Sequence, residues 1–187
     1  MHSRPAMRTV LLAVTCLVTA LPFLACRAQQ SQVGTARISL ISTDPSRICS
    51  LSRAGTLDFG NLVLPSSGIE KVTIDPVTGD RSTNLTATEV FGVALVQIRG
   101  FTSAATYQVD VSFPTTLDHS SGTGSLTFTG AWAQSATLHG SYTSISGSTV
   151  TVPSPTFFRV GGEISGIDSN TASGDYTGTI TFLGYCV

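Results

Sequence analysis

The stretch GDYTGTITFLGYCV, Gly174 to Val187, sets every second residue apart from its neighbours. Tyr176, Ile180, Phe182 and Cys186 share one face, and Thr177, Thr179 and Thr181 take the other. A two-residue period belongs to a strand with one side on a core and one side in water. TYQVDVSFP repeats it, with Tyr107, Val109, Val111 and Phe113 against Gln108, Asp110 and Ser112, and closes on Pro114. The same pattern predicts strands at 36–42, 56–63, 70–75, 93–99, 125–129, 148–152 and 157–165.

Turn clusters rich in Gly, Ser, Asp and Pro separate these runs: PSSG, DPVTGD, DHSSGTG, SISGS and DSNTASGD. No helical period stands out beyond residue 30; SATLHG is too short to count. About nine short strands at this spacing predict an all-β fold, a single immunoglobulin-like antiparallel β-sandwich, in preference to a closed barrel. The expected core includes Leu57, Phe59, Val109, Val111, Ile180 and Phe182.

The first thirty residues carry a different message. Arg4 and Arg8 precede an apolar run from Val10 to Ala20, then Pro22 and small residues. That order is a secretory signal, too short and wrongly flanked for a membrane span. The expected division is a removed signal peptide at 1–28, a short polar segment at 29–35 and the sandwich at 36–187. A lipoprotein signal ending at Cys26 is the alternative, although Phe23 stands where a smaller aliphatic residue is usual. The expected location is the periplasm, cell surface or exterior, either released or lipid-anchored. No membrane span is expected in the mature chain.

Either cut leaves Cys49 and Cys186 as the two ordinary thiols. In an exported domain two cysteines read as one disulfide, here closing a loop of 138 residues, with two unpaired buried thiols as the plainer alternative. In the chain-entropy account such a closure stabilises by about 5 kcal/mol. Within one chain it would clamp both ends of the domain and keep the last strand from fraying. Between two chains it would give a covalent dimer.

The processed chain carries seven Lys and Arg against eleven Asp and Glu, with Lys71 the only lysine. No basic stripe exists, which argues against a nucleic-acid partner. Charged residues make up 11% of the chain, against roughly 25% in ordinary soluble proteins. A surface of hydroxyls with few charges suits an extracellular β-protein, or one covered by neighbours.

Three features carry a family resemblance. LDFG at Leu57–Gly60 is followed by a strand and by VTIDPVTGDR. VQIRGFTSAATYQVDVSFP supplies a glycine, an alternating strand and a proline. FFRVGGEIS and SGDYTGTITF supply a Val-Gly-Gly strand and a closing Gly-x-Tyr-x-Gly strand. In this order the sequence resembles the bacterial domain-of-unknown-function family 4402 and, more distantly, the spore coat protein U domain. The resemblance implies a secreted, pilin-like sandwich and implies no activity. The ending LGYCV departs from the family pattern.

The motifs themselves read as structural. Leu57 and Phe59 flank the carboxylate of Asp58, and Gly60 marks a bulge or bend. Gly178, in phase with Tyr176 and Ile180, is expected to make room for an aromatic ring.

Residues with chemical potential are few. Asp58 has no carboxylate or histidine beside it in sequence. Asp118, His119 and Ser120 are adjacent, which is not the geometry of a triad. There is no Gly-x-Ser-x-Gly, no His-Glu-x-x-His and no Cys-x-x-Cys. Asp75 and Asp80 are the metal candidates, two hard ligands around a glycine turn without the remaining positions of a calcium loop. Trp132 is the ligand-stacking candidate, with core or rim packing as the plainer reading. No catalytic residue and no cofactor are expected, and the chain is read as a non-enzyme.

The expected role is structural or adhesive at the surface or envelope, as in a fimbria- or coat-like subunit. The partners would be copies of itself or neighbouring subunits. A monomeric module for glycan or protein ligands is the alternative, and an enzyme a distant third. For a subunit that donates a strand, 29–35 is long enough but offers only Val33 as an apolar plug. ARISLIS, with Ala36, Ile38 and Leu40, is the better donor, at the cost of the domain's own first strand.

Overall fold

The computed structural model describes the backbone of residues 31–42, 49–88, 90–100 and 106–186, and the side chains of 51–88, 90–99 and 106–185. The expected signal peptide at 1–28, including Cys26, lies outside the described residues. So do residues 29 and 30 and the side chains of Cys49 and Cys186. In chain order the strands are β1 (Ser31–Ser42), β2 (Cys49–Ala54), β3 (Leu57–Val63), β4 (Ile69–Ile74), β5 (Arg81–Thr83), β6 (Ala94–Gly100), β7 (Thr106–Ser112), β8 (Thr116–His119), β9 (Ser125–Ser135), β10 (Thr143–Ser144), β11 (Thr149–Pro153), β12 (Thr156–Asp168) and β13 (Asp175–Cys186).

These strands form two layers. The first runs β3–β1–β13–β7–β11. The second is built on β12, with β9 along one edge. Along its other edge β12 pairs first with β6, which carries β2, and then with β4, which carries β5. β8 pairs with both β9 and β13 and joins the layers at one side.

Aromatic rings close the space between the layers. Phe59 of β3 meets Phe128 of β9 edge-on at 6.2 Å between centroids. Trp132 of β9 stacks on Phe158 of β12 at 5.4 Å and stands edge-on to Phe182 of β13 at 5.9 Å. Leu57, Phe59, Val109, Ile180 and Phe182 are fully buried, and Val111 is 4% exposed. Each such side chain removed from water stabilises the fold by about 1.5–3 kcal/mol. The alternation of β7 and β13 is borne out among the described side chains, with Tyr107, Val109, Val111, Tyr176, Ile180 and Phe182 inside.

The structure departs from the sequence reading in four respects. First, β1 begins at Ser31, so residues 31–35, expected as a polar lead-in, are part of a strand. Its backbone pairs there with β3 and, from Val33 on, also with β13, and paired amides form a strand whatever the side chains' polarity. Second, β1 runs parallel to β13, from Val33 beside Asp175 to Ser42 beside Gly184, in an otherwise antiparallel architecture. Third, β2, β5, β8 and β10 were not expected. Each is short or mostly polar and held by a neighbour's hydrogen bonds. Fourth, the space beside Gly178 takes Leu117 and Pro114, not an aromatic ring: a Cβ there would stand 2.6 Å from Leu117 Cδ2.

Gly161 and Gly162 mark where β12 changes partner. Val160 still pairs with Ala94 of β6, whereas Gly162 pairs with Ile74 of β4. A side chain at Gly161 would collide with the Ile74 carbonyl oxygen and press on Pro76. Because the obstacle is backbone, it cannot rotate away. Gly161→Ala is therefore expected to cost about 1–3 kcal/mol, measured as a lowered midpoint in urea unfolding with little change in slope.

Candidate functional site

The Leu-Asp-Phe-Gly motif is a folding device. Gly60 has φ of +75°, the left-handed region open to glycine. The β1–β3 register slips here, with Thr35 opposite Asp58 but Val33 opposite Asn61, so two residues of β3 face one of β1. Asp58 Oδ1 accepts the Gly60 N–H at 2.8 Å and fixes this bulge. The half-buried carboxylate is thereby turned onto its own backbone. On the outer edge of β3, Asp58 and Gly92 exchange backbone hydrogen bonds of 2.9 Å each way.

The remaining sequence candidates are likewise engaged locally. Asp75 Oδ1 accepts the Val77 N–H at 2.7 Å, and the Asp75 carbonyl oxygen accepts the Gly79 N–H. Asp75 and Asp80 are both exposed on this turn. Among the described residues no three His, Cys, Asp or Glu side chains stand together as a metal cluster. Trp132 is 2% exposed, both neighbouring rings are protein, and its indole N–H donates to the Gly147 carbonyl at 2.9 Å. It is a core residue and offers no face to a ligand.

His119 departs from the adjacency read in sequence. Its ring lies edge-on to Tyr176 at 5.0 Å, and Nε2 donates to the Ser173 carbonyl at 2.9 Å. Nδ1 then accepts from Ser121, from Oγ at 2.6 Å and from the amide at 3.1 Å. The Asp118 carboxylate accepts from Thr116 instead. A carbonyl, not an acid, stands behind the ring, so these groups form a latch between the β8–β9 turn and the approach to β13. A side chain at Gly174 would strike His119 Nε2.

Two features were not visible in the sequence. One is a cavity of about 280 Å³ in the corner between β9–β10 and β11–β12, lined by Gln134, Ser135, Ser141, Thr143, Thr151 and Thr156 among others. Gln134 Oε1 is buried without a hydrogen-bond partner. Hydroxyls contributed by four strands and one loop leave no local motif to find.

The other is the slot that β1 occupies. β3 and β13 stand on either side of it: β1 pairs with β13 from Val33 to Ser42 and with β3 from Ser31 to Ala36. Register sets Ile38 beside Ile180 and Leu40 beside Phe182. With β1 removed, β3 and β13 would each present a row of unpaired amides and carbonyls along one open groove.

Fold and slot together define a class: an all-β sandwich in which one strand of the chain completes a sheet between two others. A family model described as a domain of unknown function, DUF4402, matches residues 49–183. The chain belongs to that family. The match begins at the first residue of β2, so it takes in β3 and most of β13, the two walls of the slot, and leaves out the strand within it. No curated protein matches the chain. Among the described residues no helix is long and apolar enough to cross a membrane.

If Asp58 serves the bulge, Asp58→Ala should lower stability by about 1.5–3 kcal/mol, the range for a hydrogen bond to a charged group. Asp58→Asn, which keeps an acceptor, should recover part of the loss in the same thermal melts.

Proposed function

We propose that the chain is an exported, non-enzymatic surface or envelope protein, a structural or adhesive subunit of a fimbria- or coat-like assembly. The observation that carries this reading is the filled slot between β3 and β13. A strand held by main-chain bonds on both edges can be exchanged for the same strand from another copy, because the bonding pattern is indifferent to which chain supplies it. The walls belong to the family domain, and β1 precedes it, joined through residues 43–48. The more distant kinship with the spore coat protein U domain forms part of the same reading. Export through a signal at 1–28 completes it.

Size-exclusion chromatography with light scattering tests the proposal. The mature chain at rising concentration is expected to form oligomers. A chain lacking residues 31–42 is expected to capture a synthetic peptide of that sequence. A chain that stays monomeric at all concentrations, with a truncated form that folds stably and ignores the peptide, would sink the assembly reading.

The cavity at Gln134 favours a second reading, a binding module. An unpartnered amide oxygen among hydroxyl groups suits a hydroxyl-rich ligand such as a sugar. Glycan binding that is lost in Gln134→Ala, by a protein that remains monomeric, would give this reading precedence.

A further inference from the structure

We infer that Cys49 and Cys186 form a disulfide within one chain, across the two layers of the sandwich. Counting cysteines leaves open this pairing, a link between chains and two free thiols; the register of four strands favours the first. Leu51 of β2 lies over Gly184 of β13: a Cβ on Gly184 would stand 3.0 Å from Leu51 Cδ1 and 3.5 Å from Ile98 Cδ1. Cα atoms of β2 and β13 accordingly come within 8 Å of one another, closer than the ~10 Å usual for packed sheets. The missing side chain at Gly184 is what permits that approach.

Cys49 is two residues before Leu51, and Cys186 is two residues after Gly184. With a period of two, each cysteine falls on the same face of its strand as the residue at the close contact. Direction agrees as well. Leu51 pairs with Ile98 and Cys49 with Gly100, the last residue of β6. Gly184 pairs with Val109 and Cys186 with Tyr107, near the start of β7. Both cysteines therefore lie toward the single connection from β6 to β7. Two opposed positions beside so close a sheet approach are the arrangement that the short Cα separation of a disulfide, under about 7 Å, calls for.

The chemistry balances by thiol–disulfide exchange. The thiolate of one cysteine attacks a disulfide oxidant and releases one reduced thiol of that oxidant. The second cysteine then displaces the other half, so two protons and two electrons leave the protein in all. The inference goes beyond the assembly reading and does not depend on export, since any disulfide oxidant serves.

The test is refolding of the full chain, reduced and dilute, in a buffer of oxidised and reduced glutathione, followed by peptide mapping without reductant. A Cys49–Cys186 peptide in the majority of monomers is the expected result. Reduction of that monomer should lower Tm by on the order of 10 °C. In Cys186→Ser, Cys49 should become open to alkylation. Free thiols at both positions, bonds from either one to Cys16 or Cys26, or a covalent dimer through them would each overturn the inference.

Discussion

β13 is the strand on which the two layers depend. Along one edge it pairs with β1 from Asp175 to Gly184. Along the other it pairs with β8 at Tyr176 and Thr177, and with β7 from Thr181 to Cys186. β8 passes the connection on to β9, so the backbone network of one layer continues into the other. The same strand supplies Ile180 and Phe182 to the core, and Phe182 touches the Trp132–Phe158 stack. Hydrophobic burial and main-chain pairing therefore converge on the same twelve residues.

The glycines of the family motifs share one physical role. Gly60 turns a bulge, Gly161 and Gly162 hand β12 from β6 to β4, Gly174 lies against His119, and Gly178 lies against Leu117. In each case the backbone adopts a conformation closed to other residues, or another group occupies the volume of a side chain. The motifs thus encode how closely strands approach, and a sandwich with these contacts can carry different surfaces.

Long strands with strict alternation were legible, because burial on one face writes itself into every second residue. β7 and β13 are the clearest cases. β8, with Leu117 as its one buried residue, and β10, with none, carry no such record; their neighbours specify them. The parallel pairing of β1 with β13 was illegible for another reason, since register between distant segments depends on the whole layer. The role of Asp58 was half legible: the bulge at Gly60 could be read, but not the hydrogen bond that holds it. The Gln134 cavity, assembled from separate strands, left no trace in any single stretch.

The pairing of β1 with β13 also sets an order of events. Val33 meets Asp175 across 142 positions of chain, so the slot cannot close during synthesis until nearly the entire domain has been made. Contacts of such long sequence separation form slowly, and strand edges left open meanwhile invite aggregation. Throughout that interval β1 can pair with β3 alone, and the edge that β13 will cover stays open on the growing polypeptide.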